Sequence, residues 1–158
     1  MSTGGGHLLI NEASASDIDD VADLLTQFFQ EEGFELPPSG LEPRVRTYVS
    51  LDDHAIFIAK VDGGPVGVCT VAAGFSLEYG WYAEMEDLYV VPPRRGGGIA
   101  RALNDAVTDW AIGASCTAML VTITPGGQAR HDLRAFYARL GFEDDGRGIM
   151  ERRIGSKA

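Results

Sequence analysis

Residues 90–100 read Val-Val-Pro-Pro-Arg-Arg-Gly-Gly-Gly-Ile-Ala, which predicts the end of a strand, a glycine turn and the start of a helix in direct succession. The stretch 85–91 before the turn has strand character, and the apolar residues after it repeat at helical spacing from Ile99 to Trp110. Glycines let the first N–H groups of a helix approach an anion closely, and that helix end carries positive dipole charge. Arg94 and Arg95 add cationic donors. The segment therefore predicts a phosphate or pyrophosphate site.

The pattern around this segment predicts a fold that mixes strands and helices. The strands are expected at 8–12, 54–61, 66–73, 85–91 and 118–123, with closing strands at 142–143 and 149–154. Helices are expected from the N-cap Ser16 to Gly33, over 43–51, from Ile99 to Ala111, and around Leu133 to Leu140. The strand–helix–strand order of 85–123 favours a parallel pair.

Length and composition favour one globular domain. The chain has 158 residues, of which 45% are hydrophobic and 23% are charged. We expect a flexible leader at 1–6 and a single domain over 7–158. Cys69 and Cys116 lack the spacing of a disulfide framework or a metal site, so we expect no metal. Neither a membrane span nor a signal peptide is recognisable, which favours a soluble cytoplasmic protein without a membrane partner.

The charge of the chain is unevenly distributed. The formal net charge is −10, which argues against a nucleic-acid partner because phosphate contacts require clustered cations. Residues 1–93 hold 16 acidic and 3 basic side chains, whereas residues 94–158 hold 7 acidic and 10 basic ones. This division suits two ligands of opposite charge, although acids on solvated helix faces would produce it equally well.

The glycine segment does not match two common anion-binding motifs but does match a third. A dinucleotide fingerprint would need glycine where Arg101 stands, and a Walker loop would need Gly-Lys-Ser/Thr, which does not occur. The pattern Val90-x-Pro92-x-x-Arg95-Gly96-x-Gly98-Ile99-Ala100 resembles the acetyl-CoA loop of the GNAT superfamily of N-acetyltransferases. A second pattern, Phe136-Tyr137-x-x-x-Gly141-Phe142, resembles another motif of that superfamily in the expected order and spacing.

The resemblance implies an α/β (α+β) fold. Its centre is a mixed, mostly antiparallel sheet with a splayed parallel strand pair and flanking helices. It also implies acetyl-CoA as co-substrate, bound between the strands at 85–91 and 118–123. The implied cofactor contacts are the backbone of Leu88, Tyr89 and Val90, the loop residues Arg94, Arg95, Gly96, Gly97, Gly98, Ile99 and Ala100, and Tyr137. One departure concerns Arg130, which stands where many relatives have Asn.

Catalytic residues are expected on the strand that ends at the loop. The reaction that the resemblance implies is direct attack of an amine on the thioester, with a backbone N–H near Val90 as oxyanion donor. Glu84, Glu86 and Asp87 are the candidate bases, and strand parity predicts Glu84 and Glu86 on one face and Asp87 on the other. Some relatives use a carboxylate at the place of Glu86, so we favour this residue.

Tyr137 is the implied general acid. His54 and His131 are interpreted as structural or exposed.

The acceptor is expected to be a primary amine of a cationic small molecule. Five aromatic residues lie in segments that usually line the acceptor site in relatives, namely Phe34, Phe75, Tyr79, Trp81 and Tyr82. Aromatic rings there could hold a cation, but at least half of these residues are interpreted as core packing residues. Two alternatives stay open. One is a regulatory module that binds acetyl-CoA without turnover, and the other is an acetyltransferase acting on protein lysines or N-termini. A homodimer is left open as well.

Overall fold

The structure is a computed structural model that describes residues 5–155, so residues 1–4 of the expected leader lie outside it. The chain divides into two compact units, one up to Thr122 and one from Ile123 onward. The expectation of a single domain over 7–158 stays a prediction. In the part described, no helix combines the length and apolar character that a membrane crossing requires. Location in the cytoplasm also stays a prediction.

The first unit is built on one mixed sheet. Its strands are β1 (Leu8–Glu12), β2 (His54–Val61), β3 (Gly64–Ser76), β4 (Gly80–Val90) and β5 (Ala118–Val121). They lie in the order β1-β2-β3-β4-β5, antiparallel except for the parallel pair β4-β5. The expected mixed, mostly antiparallel sheet with flanking helices is confirmed. The strands β3 and β4 extend further into their hairpin than the apolar pattern predicts, because the ladder continues to Ser76 and Gly80.

Three helices cover the sheet. They are α1 (Ile18–Glu32), α2 (Glu42–Ser50) and α3 (Ile99–Gly113). The N-terminal turn before α1 is capped by Ser14, which forms a capping box with Asp17, rather than by Ser16 as predicted. Gly33 ends α1 at φ +73°, a left-handed conformation in which glycine carries no steric penalty.

The two faces of the sheet carry different helices. Apolar residues of α1 and α2 form one core with Ile56, Ile58, Val68 and Tyr89. On the opposite face Gly67 leaves room for α3, since a Cβ at this position would lie 3.2 Å from Leu103 and 3.4 Å from Ile99. The sheet therefore separates the side of α1 and α2 from the side of α3.

The second unit contains two short helices, α4 (Pro125–His131) and α5 (Leu133–Arg139). The helix α4 replaces the chain break expected at 125–127, because Pro125 at its start needs no hydrogen bond and Thr124 accepts one from Gly127 N. The closing strands predicted at 142–143 and 149–154 do not form in the part of the chain described. A short apolar run becomes a strand only where a neighbouring strand pairs with it, and Ile149, Met150 and Ile154 lie exposed.

Candidate active site

The strand β4 carries a bulge at Glu86. Thr70 of β3 pairs with Asp87, and the next β3 residue, Val71, pairs with Met85, which leaves Glu86 without a partner in the register. On the other edge of β4, pairing with β5 ends at Met85. A bulge bends its strand. The bend therefore coincides with the point where the parallel pair ends, and residues 86–90 keep one edge open within the described chain.

The backbone groups on this open edge follow from the alternation of a strand. Asp87 N donates to Thr70 Oγ1 over 3.1 Å, and Val91 N donates to the Val66 carbonyl over 2.9 Å, so both face β3. The backbone N–H and C=O groups of Leu88 and Val90 consequently point away from β3, whereas those of Tyr89 point toward it. Arg95 Nε donates to the Val90 carbonyl over 2.8 Å. Both backbone groups of Leu88 and the N–H of Val90 therefore remain for a ligand.

The glycine loop presents a row of backbone donors. Gly96 and Gly98 have φ angles of +81° and +85°, a region that favours glycine. Within residues 5–155, the amide groups of 96–100 donate to no other protein group, and the first bond of this turn is Ala102 N to the Gly98 carbonyl. A ring of unpaired N–H groups at a helix start fits an anionic phosphate.

The guanidinium of Arg95 is already engaged. It donates to both carboxylate oxygens of Glu31 on α1, over 2.8 and 2.6 Å, and lies 5.5 Å from the centre of the Tyr89 ring. The hydrogen bonds to Glu31 raise the pKa of Arg95 further. Arg94 is exposed. Arg95 thus ties α1 to the end of β4, and the loop amides and Arg94 are the groups left for a phosphate.

The three carboxylates of β4 are arranged differently from the parity prediction. Glu84 pairs with Ala72 and Asp87 with Thr70, so these two acids share one face of the sheet. The prediction that Asp87 lies opposite Glu84 is wrong, because the bulge at Glu86 inserts an extra residue between them. Thr70, which is 1% exposed, donates from Oγ1 to Asp87 Oδ2 over 2.6 Å.

The environment raises the pKa of two of these acids. Burial raises the pKa of Asp87, and the hydrogen bond from Thr70 opposes this shift. Burial also raises the pKa of Glu86, the hydrogen bond from Tyr48 opposes it, and the charges of Asp87 and Glu84 add to it. The Glu86 side chain nevertheless reaches solvent. Glu86 is therefore accessible, whereas Asp87 is held by Thr70.

Tyr48 and His54 belong to this cluster, although no sequence motif pointed to Tyr48 and His54 was interpreted as structural or exposed. Tyr48 Oη donates to Glu86 Oε2 over 3.1 Å, and its ring meets the His54 ring edge to face at 4.7 Å. Helical spacing offered a clue, since Tyr48 lies three residues after the buried Val45 and therefore on the same face of α2.

The predicted acceptor aromatics fall into three groups. Phe34 packs against Phe28 and Phe29 after the end of α1. Phe75 and Trp81 form an exposed edge-to-face pair in the β3–β4 hairpin. Tyr79 and Tyr82 contact each other in the same hairpin. The Phe34 group thus has the packing role that was expected for part of this set.

Tyr137 lies in the second unit, which we describe by itself. The side chain is buried on α5, between the rings of Phe136 and Phe142 at 5.0 and 5.4 Å. Gly141 has a φ of +94° and allows the chain to turn back, so that Phe142 N reaches the Tyr137 carbonyl. Arg130 lies on α4 with its guanidinium over Gly126. The second motif thus forms a small aromatic cluster around Tyr137.

Comparison with known proteins identifies the family. Residues 18–142 match the model of the acetyltransferase (GNAT) family. This match covers most of the chain and includes the glycine loop and Tyr137, and the chain therefore belongs to the GNAT acetyltransferase family. No curated protein sequence matches it.

Solved structures show the same fold at low sequence identity. The aminoglycoside N-acetyltransferase AAC(6')-Iy in complex with CoA is 22% identical, with a TM-score of 0.82 and coverage of 97% of this chain and 99% of that one. An integron cassette protein from the mobile metagenome of Cole Harbour Salt Marsh is 26% identical, with a TM-score of 0.80 and coverage of 93% and 91%. A ribosomal-protein-alanine N-acetyltransferase from Brucella melitensis biovar Abortus 2308 is 21% identical, with a TM-score of 0.74 and coverage of 93% and 100%.

Gly97 offers a direct test of the glycine loop. Unlike its neighbours it has no positive φ, and an added Cβ would lie 3.7 Å from the Arg94 carbonyl, an ordinary contact. Gly97→Glu should therefore fold but place a negative charge among the loop amides, and we expect CoA affinity to fall at least tenfold in calorimetry.

Gly97→Ala is the matched control, because it adds the Cβ without the charge and should bind CoA within a few-fold of the parent. Equal CoA affinity of the Glu variant and the parent would contradict the phosphate assignment of the loop.

Proposed function

We propose that this GNAT acetyltransferase moves an acetyl group from acetyl-CoA to a primary amine of a cationic small molecule. The observation that carries the proposal is the open edge of β4, which runs from Glu86 to Val90 and leads into the free amides of the glycine loop. An extended backbone edge suits the amides of a pantetheine arm as an added strand, and the loop amides suit a pyrophosphate. When bound, acetyl-CoA supplies the thioester that the amine attacks.

The residues of the open edge would then assist acyl transfer. The N–H of Val90 points away from β3 and is a preorganised donor for the acetyl oxygen as negative charge develops there. Glu86 accepts the proton that the ammonium group of the acceptor must lose. Its accessibility favours it over Asp87, whose carboxylate is already bonded to Thr70.

Tyr137 completes the proposed chemistry as the donor of a proton to the departing thiolate. A phenol O–H can act as a general acid and protonate a thiolate as it leaves. The support is its place in the second motif and its burial among aromatic rings.

The acidic cluster of β4 favours a cationic acceptor. Glu84, Glu86 and Asp87 lie within four consecutive residues of β4, and the first 93 residues carry 16 acids against 3 bases. Such a surface attracts cations, and salt screens this attraction. Among the structural neighbours, AAC(6')-Iy was solved with a bisubstrate analogue that joins CoA to acetylneamine. This neighbour supports a small amine as the acceptor of this chain. The ribosomal-protein-alanine N-acetyltransferase is the reason to test peptide acceptors as well.

Release of free thiol from acetyl-CoA tests the function directly. The panel comprises a neutral amine, a diamine, neamine, a peptide with N-terminal alanine and a lysine peptide. We expect the small polycations to give the highest kcat/KM, with a loss at higher salt. A neutral or anionic best acceptor without salt dependence would contradict the charge argument, and CoA binding without thiol release from any amine would favour the regulatory module.

Glu86→Gln tests the base. Because a raised pKa keeps part of Glu86 protonated at low pH, kcat/KM of the parent should rise as pH increases through that pKa. The Gln variant should lose this dependence, so its deficit relative to the parent should be largest above that pKa, where the carboxylate of the parent is ionised and can accept the proton.

Glu84→Gln is the matched control, since it removes a carboxylate from the same strand without changing the bulge. If Glu86→Gln keeps the pH profile of the parent, the base is Glu84, Asp87 or water instead.

Tyr137→Phe tests the acid. The substitution retains the ring between Phe136 and Phe142, so packing and CoA binding should persist. We expect kcat to fall by about 10²–10⁴-fold if acid catalysis is lost. A kcat within a few-fold of the parent would restrict Tyr137 to a packing role.

A further inference from the structure

The contact between Tyr48 and Glu86 joins residues that are far apart in the sequence. Tyr48 lies near the end of α2, and its hydroxyl donates to Glu86 Oε2 over 3.1 Å. No sequence motif lies on α2. Within residues 5–155, this helix nevertheless supplies the one hydrogen bond that the side chain of Glu86 accepts.

Tyr48 is held in place independently of Glu86. Leu41 and Val45, both nearly inaccessible to solvent, anchor α2 on the core. At the sheet, the Tyr48 ring packs against His54, whose Nδ1 lies 2.6 Å from Asp53 Oδ1. The position of the phenol is therefore fixed by helix packing and ring contact, which makes Tyr48 a rigid donor.

Glu86, in contrast, is not oriented by the strand ladder. It is the extra residue of the bulge, so no opposite residue on β3 determines the direction of its side chain. A long carboxylate side chain at such a position has several rotamers, and ordering it costs conformational entropy. A rigid donor that binds one carboxylate oxygen selects one of these rotamers.

We propose that Tyr48 is a positioning residue that holds the Glu86 carboxylate in the orientation required to take a proton from the acceptor amine. The inference rests on the proposed function, because it gives Glu86 the role of base. Tyr48 binds Oε2 and leaves Oε1 for the amine.

The electrostatic surroundings agree with this role. The titratable groups acting on Glu86 are Tyr48 from α2, His54 from β2, and Glu84 and Asp87 on its own strand. Burial raises the pKa of Tyr48 well above the usual range of a phenol, and the charge of Glu86 adds to this shift. Tyr48 thus stays protonated as a donor at working pH and does not compete with Glu86 as a base.

Tyr48→Phe isolates the hydroxyl, because the phenyl ring retains the contact with His54. Since the hydrogen bond from Tyr48 lowers the pKa of Glu86, its removal should raise that pKa. For the loss of one hydrogen bond to a partly solvated charge we expect an upward shift of about one pH unit. The same shift should appear in the acidic limb of kcat/KM, and kcat should fall about three- to tenfold while the KM for acetyl-CoA stays unchanged.

The experiment combines carbon NMR titration of the Glu86 carboxyl group with pH–rate profiles. The resonance is assigned by its disappearance in Glu86→Gln. Thr47→Val is the matched control, since it removes the preceding hydroxyl of α2, which donates to the Pro43 carbonyl and not to Glu86. Thermal unfolding of each variant verifies the fold.

The outcomes separate the two proposals. Parallel shifts of the carboxyl pKa and of the acidic limb in Tyr48→Phe alone support the positioning role. An unchanged carboxyl pKa and an unchanged profile in Tyr48→Phe, while Glu86→Gln loses activity, overturn it and leave the base assignment intact. A profile of Glu86→Gln equal to that of the parent overturns the base assignment, whatever the titration of Tyr48→Phe shows.

Discussion

Among residues 5–155, β4 pairs with another strand on only one of its edges beyond Met85. This constraint organises the proposed site, because backbone groups that point away from β3 must find partners in solvent or in a ligand. The bulge at Glu86 lies at the same point and turns the strand away from β5. One local irregularity thus exposes the main-chain groups that suit an extended ligand and places a carboxylate at their beginning.

The far end of the open edge is fixed by Arg95. Its guanidinium joins the Val90 carbonyl, the Glu31 carboxylate and the Tyr89 ring, so the end of β4 is tied to α1. A planar donor that binds a carboxylate with two parallel bonds confers a geometry that a lysine would not reproduce. The motif arginine therefore has an architectural contact in this chain, and under the proposed assignment the loop would bind a phosphate mainly through its backbone amides.

The parts of the structure that were predictable from the sequence depend on local patterns. The bounds of β2 and the start of α3 agree with expectation because apolar periodicity and a glycine turn determine them within a few residues. The bulge escaped prediction because it depends on the register against β3, which a single strand does not encode. The contact of Tyr48 with Glu86 joins residues 38 positions apart, and the failure of 149–154 to form a strand reflects the lack of a pairing neighbour. Both depend on tertiary context.

The open edge also bears on self-association. An exposed strand edge is a template on which another polypeptide can add and begin to aggregate. Here the template is short, because Glu86 places a charge at one end while Pro92 and Pro93 follow at the other and have no N–H to offer. Arg95 already occupies the last carbonyl. The edge can thus receive a narrow linear ligand of a few amide groups, while a growing cross-β assembly would find too few consecutive donors and acceptors to continue.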